Sequence, residues 1–134
     1  MSLYVDSSAL LKRYVDEPDS ELADSILRSD PSLVTARHTI VEVRRNLARL
    51  LTERDLAKAR AAFTEDLAAF AIVALDEVTC EGAAAIAEVT GVRTLDAMHL
   101  SAAQRVGGPA VTFLTFDARQ AQAARTLGFT VVGA

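Results

Sequence analysis

Asp6, Glu42, Asp96 and Asp117 are the residues whose type and placement could do chemistry. Asp6 follows directly on the apolar run Leu3-Tyr4-Val5, and Asp117 stands two residues beyond Thr115, where the run Val111 to Thr115 ends. Asp96 falls near the second position of a helix capped by Thr94, and Glu42 lies in the first turns of another. Each alone has a structural alternative: Asp6 and Asp117 suit turns or caps, Asp96 offsets a helix dipole, and Glu42 could be a surface acid. Gathered in one pocket, four carboxylates repel one another, and a divalent cation is the simplest way to hold them ionised. Magnesium and manganese take oxygen ligands, keep several waters, and need only a few carboxylates plus a substrate phosphate. A metal so held can acidify water and aim it at phosphorus. The chemistry this set could do is phosphodiester hydrolysis, with no histidine base or cysteine nucleophile.

Positioning such a set requires a particular scaffold. Short, nearly all-apolar runs at Leu3-Tyr4-Val5, Ser32 to Ala36, Ile72 to Leu75 and Val111 to Thr115 predict strands, with a further strand at Thr130 to Val132. Between them lie helical stretches. One is capped by Asp6-Ser7-Ser8 and runs through about Val15, one opens at Pro18 toward Leu27, and Thr39 to Leu51 carries an apolar face of Ile40, Val43, Leu47 and Leu50. Thr52 with Asp55 predicts a cap for a helix bearing Leu56, Phe63, Leu67 and Phe70. Helices follow over about Val78 to Val89, ended by Gly91, from Thr94 to about Val106, and from Asp117 to Leu127. Alternating strands and helices predict an α/β fold, a parallel sheet of four to five strands covered on both faces. In such sheets, sites form beyond the carboxyl ends of the strands at a topological switch point, which is where Asp6 and Asp117 fall.

The 134 residues favour one compact domain, and 51% hydrophobic with 24% charged residues excludes a disordered chain. The longest apolar stretch, Leu67 to Leu75, is too short to span a bilayer, and no export signal is evident, so a cytoplasmic protein is expected. The lone cysteine, Cys80, excludes an internal disulfide and a cysteine zinc cluster. Net charge is −4, yet Arg37 to Arg60 holds seven bases against three acids. This is either a solvated helix face or a localised phosphate-facing patch. Arg45, Asn46 and Arg49 share the helical face of Glu42. His99, three residues after Asp96, is expected as a packed histidine rather than a zinc ligand, and His38 as structural or exposed. Aromatics are 5% of the chain, so there is no base-stacking platform, and no Gly-rich phosphate loop occurs.

Taken in order, Val5-Asp6-Ser7-Ser8-Ala9-Leu10-Leu11, Val41-Glu42-Val43-Arg44-Arg45, Thr94-Leu95-Asp96-Ala97-Met98-His99-Leu100 and Leu114-Thr115-Phe116-Asp117 resemble the PIN domain, and more narrowly the toxin ribonucleases of the VapC type. The resemblance covers essentially the whole chain. It implies a three-layer α/β/α sandwich forming a single nuclease domain over residues 1–134, and a magnesium- or manganese-dependent endoribonuclease. It implies a cognate VapB-like antitoxin that blocks the site, a homodimer, and a structured RNA substrate such as transfer RNA. Asp6, Glu42, Asp96 and Asp117 match the family's acidic quartet and metal-binding residues, with Asp6 and Asp96 most directly on the metal. Ser8 and Thr115 match hydroxyl positions that support the carboxylates.

Three alternatives are set against this. A haloacid-dehalogenase-type phosphatase needs a second aspartate where Ser8 stands, and a receiver domain needs a late lysine, whereas the lysines are Lys12 and Lys58. A catalytically inactive PIN-fold module binding RNA or protein would have little reason to keep the quartet. If the basic segment binds RNA, replacing Arg45 and Arg49 by Ala weakens RNA binding and lowers its salt slope, by about one unit for each phosphate no longer neutralised. An unchanged slope in a salt titration would return both arginines to the solvated face.

Overall fold

The computed structural model describes residues 2–134. Five strands, β1 (Ser2–Val5), β2 (Leu33–Ala36), β3 (Phe70–Val73), β4 (Val111–Thr115) and β5 (Thr130–Gly133), form one sheet in the order β3-β2-β1-β4-β5. All four pairings are parallel. Seven helices flank it: α1 (Ser7–Leu11), α2 (Ser20–Ser29), α3 (Arg37–Leu50), α4 (Glu53–Leu67), α5 (Glu77–Thr90), α6 (Thr94–Arg105) and α7 (Ala118–Thr126). The chain winds outward from β1 to β2 and β3, then crosses to β4 on the other side of β1. The direction of winding therefore reverses between β1 and β4, and the switch point lies beyond their carboxyl ends.

Every residue from Leu3 to Val5 is buried because the central strand is covered on both faces. Alternation sends Leu3, Val5 and Leu114 into one core with Leu10, Val43, Leu47 and Phe63 from the α1–α4 side. Tyr4 and Phe113 point the other way, into a core with Ile86, Leu100, Ala124 and Phe129 from the α5–α7 side. These are the three layers, helices on sheet on helices.

Four boundaries differ from the sequence-based expectation. Phe70, expected on the helix before it, opens β3, which runs two residues earlier than anticipated. Within the unbroken apolar run Leu67 to Leu75 no period marks where helix gives way to strand. The helix expected to reach Val15 ends at Leu11, and the one expected at Pro18 starts at Ser20. Thr94 does not cap α6; it is the first helical residue, with Arg93 at the cap position and no side-chain capping bond.

Helices α5 and α6 pack extensively on each other, which fixes α6 and the Asp96 it carries. Ser101 of α6 donates to the Thr79 carbonyl at 2.7 Å. Asp76 caps α5 through the Thr79 amide and binds Arg105 in the last turn of α6 at 2.6 and 2.7 Å, contacts that hold its carboxyl down to about 2. Gly82 lets the helices touch, since a Cβ there would sit 2.5 Å from Ser101 Oγ. Gly82→Ala is therefore expected to cost about 1–3 kcal/mol through overpacking and disruption of the Ser101 bond. Denaturant unfolding measures it, and Gly82→Ala with Ser101→Ala should recover part of the loss.

Candidate active site

Asp6 leaves β1 and becomes the N-cap of α1, its side chain accepting from the Ala9 amide at 3.0 Å. The same oxygen, Oδ1, accepts from Ser8 Oγ at 2.8 Å, and Oδ2 accepts from Thr115 Oγ1 at 2.6 Å. The parallel register that sets Val5 beside Leu114 brings Thr115 level with Asp6. Thr115 Oγ1 in turn accepts from the Asp117 amide at 3.1 Å, and Ser8 Oγ from the Phe116 amide at 3.1 Å. Both hydroxyls singled out in the sequence therefore sit on the carboxylate. Asp6 is 1% exposed, and burial raises its carboxyl above the ordinary value, against the opposing pull of His99, Thr115, Ala9 and Ser8.

Asp117 caps α7, its Oδ1 accepting from the amides of Arg119 and Gln120 at 2.9 and 3.2 Å. Asp96 is the third residue of α6, half-buried. Burial first, then the charge of Asp117, raise its carboxyl, and Asp6 adds to this while Arg93 and His99 oppose it. The charges of Asp117 and Asp6 therefore reach Asp96 at the switch point. Oxygen donors brought near one another in this way suit a hard divalent cation.

Glu42 arrives at the same end of the sheet from α3, but its Oε1 is engaged by His99 Nε2 at 2.8 Å. His99 Nδ1 meets the hydroxyl of the fully buried Tyr4 at 2.7 Å, and Tyr4 stacks on Phe113 with centroids 5.1 Å apart. Burial pushes the Glu42 carboxyl up, but the His99 hydrogen bond and the attraction of His99 and His38 outweigh it, leaving it below its ordinary value. His99 is packed, as expected from sequence, though its partner is Glu42 rather than Asp96. His38 is also buried, its Nε2 3.6 Å from Glu42 Oε1. The i, i+4 spacing of His38 and Glu42 is the one local signal of this approach in the sequence. Burial and His99 lower the His38 imidazole to about 4, with Glu42 acting the other way.

Arg45 and Arg49 are exposed on α3, and Arg49 Nη2 donates to Asn46 Oδ1 at 3.0 Å. Arg45 lines a shallow groove with Ile40, Val41, Arg44, Leu56 and Arg60 between α3 and α4. A second cleft, of about 450 Å³, opens against Asp96 and is lined by Arg93, Arg119, Gln122 and Thr126. Arg93 and Arg119 are scattered in sequence and form no motif, yet both flank an aspartate of the site.

The family profile described as the PIN domain matches residues 3–126. Ribonuclease VapC46 of Mycobacterium tuberculosis is 34% identical over 131 residues, covering 98% of this chain and 96% of that protein. Among solved structures, Mycobacterium tuberculosis VapC20, described as a sarcin-ricin loop cleaving toxin, superposes with a TM-score of 0.76 at 18% identity over 98% of both chains. VapBC-5 from the same species, a member of the VapBC family of toxin-antitoxin systems, matches 99% of this chain and 98% of its own with a TM-score of 0.67 and 18% identity. The chain belongs to the PIN domain family, and its full-length relatives there are VapC ribonucleases.

The raised carboxyl of Asp96 fixes a sign. In the carboxylate range the folded chain binds this proton more tightly than the unfolded chain, so metal-free stability falls as pH rises through and above that range. Asp96→Asn is therefore expected to leave the metal-free melting temperature level or higher near neutral pH, and to flatten its decline with pH. Thermal unfolding in EDTA across pH checks this. A clear drop in the variant would reduce Asp96 to a helix-start carboxylate, whose dipole contribution is about 0.3–1 kcal/mol.

Proposed function

We propose that the chain is a single-domain, divalent-metal-dependent endoribonuclease that acts in the cytoplasm as the toxin of a type II toxin–antitoxin pair. The observation that carries this reading is the convergence of Asp6, Asp96 and Asp117 beyond the carboxyl ends of β1 and β4, with Asp6 buried and oriented by three hydrogen bonds. Asp6 and Asp96 would hold Mg²⁺ or Mn²⁺, with Asp117 and Glu42 completing the pocket directly or through water. When bound, such an ion supplies Lewis-acid polarisation of a phosphodiester and acidifies an attacking water.

The protein's own groups do the rest. Thr115 and Ser8 fix the orientation of Asp6, and Thr115 ties it to the Asp117 backbone, so the two strand ends move as one. Arg93 and Arg119 beside the cleft, with Arg45 and Arg49 on α3, would bind RNA phosphates and set the strand across the carboxylates. Buried Tyr4 and His99 hold Glu42 at the rim. Recognition then rests on backbone and shape, which suits a structured RNA such as transfer RNA.

The relationship to a VapBC system supports a small antitoxin as partner, with apolar anchors in a groove and a basic side chain over the acidic pocket. Val78, Val89 and Val106, exposed on and beside the α5–α6 pair, would be available to a homodimer contact. No described helix is long and apolar enough to cross a membrane.

Cleavage of total RNA by the purified protein with Mg²⁺, with Mn²⁺ and with EDTA tests the proposal. Cleavage should need the ion, and Asp6→Asn or Asp96→Asn should lower it by at least about 100-fold with the fold retained. Thr115→Val should cost about 10–100-fold in metal affinity, as removal of a group supporting a ligand does. Cleavage retained by folded aspartate variants, or insensitive to EDTA, would overturn the nuclease reading. Absence of cleavage and of growth arrest on unpartnered expression would favour the inactive binding module.

A further inference from the structure

His38 is the residue that the acidic site leaves unexplained. It is buried at 5% exposure, and neither ring nitrogen meets good hydrogen-bond geometry with a described group; the Leu95 backbone lies beside the ring, so at most one of the two nitrogens is served. A neutral imidazole carries one donor and one acceptor, and burying either one unpaired is unfavourable unless something else satisfies it. Its ring lies 4.1 Å from that of His99, centroid to centroid, and its Nε2 faces Glu42 Oε1 at 3.6 Å. The Glu42–His99 bond is complete without it.

We propose that His38, Glu42 and His99 form a binding site for a borderline transition-metal dication of the Zn²⁺ class, adjoining the hard-cation pocket of the aspartates and sharing Glu42 with it. One ligand atom from each residue lies within 4.8 Å of the others. Two atoms bound to one ion at about 2.0–2.1 Å and tetrahedral angles stand about 3.3–3.4 Å apart, so a pair at the outer limit must close by about 1.4 Å, roughly 0.7 Å from each side chain. Two imidazoles and one carboxylate leave a fourth position open on Zn²⁺, and imidazole nitrogen selects such ions over Mg²⁺. The scaffold is preorganised: His38 and Glu42 stand one turn apart on α3, and His99 comes from α6 across the core. The Tyr4 hydroxyl at His99 Nδ1 leaves Nε2 for the ion, the arrangement usual for a ligating histidine. Binding moves the Nε2 proton of His99 to Nδ1 through solvent, with Tyr4 turning from donor to acceptor. Solvent reaches the site on the Glu42 side, where the carboxylate side chain is 20% exposed. An ion here also withholds Glu42 from the aspartate pocket, a consequence that rests on the nuclease proposal, whereas the binding itself does not.

The test uses the full chain stripped by chelator and titrated with Zn²⁺ and, separately, Mg²⁺, followed by calorimetry, melting temperature and zinc X-ray absorption. One equivalent of Zn²⁺ should bind with about two imidazole nitrogens at 2.0–2.1 Å in its shell. His38→Gln should weaken Zn²⁺ at least about 10-fold and leave the Mg²⁺ response, while Asp96→Asn should do the reverse. The wild-type absorption spectrum decides the matter even if His38→Gln fails to fold. No Zn²⁺ binding, an oxygen-only shell, or Zn²⁺ affinity that follows Asp96 rather than His38 would overturn the site.

Discussion

A carboxylate buried at the end of the central strand needs hydrogen bonds from every side, and at Asp6 three donors from two separate pieces of chain supply them. The α1 N-terminus gives the Ala9 amide, the first turn gives the Ser8 hydroxyl, and β4 gives the Thr115 hydroxyl from 109 residues away. Burying such a group without partners is strongly unfavourable, so the arrangement constrains the fold as much as it serves the site. A slip of one residue between β1 and β4 would remove Thr115 and send the inward side chains of the strand to the opposite face. The same hydroxyl accepts from the Asp117 amide, so the start of α7 is pinned by the carboxylate of β1.

Around this anchor the two helical layers bring different chemistry. The α5–α6 pair, closed over Gly82 and Ser101, carries Asp96 toward Asp6 and Asp117, where burial first and then their like charges disfavour its ionised form. The α3 layer brings Glu42 and His38, which meet His99 from α6 beyond the edge of the sheet. One side gathers oxygen donors and the other mixes nitrogen with oxygen, a separation that maps onto hard and borderline cations. Both groupings hold the metal-free chain under electrostatic or hydrogen-bonding stress, the ordinary cost of a preorganised site. Tyr4, raised well above its usual range by burial and by the charges of Asp6 and Glu42, stays a neutral hydroxyl between them.

Kinship with VapC ribonucleases over the whole chain agrees with this geometry, and identities of 31–34% leave ample room for local differences. The arginines at the rim are one place where such differences would act. Arg93 sits beside Asp96 at 3.7 Å and Arg119 follows the Asp117 cap, so they border the carboxylates rather than forming a patch of their own. Arg44 and Arg45 of α3 line a different groove, which none of the aspartates borders. Phosphate contacts on both sides would orient a bound strand without base stacking.

Sequence alone determined the parallel sheet and the layered architecture, because short apolar runs between amphipathic helices have few other ways to be buried. It also placed Asp6 and Asp117 at strand ends, and with them Ser8 and Thr115, since those relations are local and the switch-point rule does the rest. The start of β3 was hidden because the run from Leu67 to Leu75 has no period to separate helix from strand. A capping role for Thr94 does not hold because a hydroxyl one residue either side of a helix start looks the same in sequence. What only the tertiary structure decided is which partners the polar side chains take. Glu42 meets His99 across 57 residues and Tyr4 meets it across 95, contacts set by how α3 and α6 pack on the sheet. No local pattern encodes such a pairing, because its energy arises only once water has been excluded from between the helices.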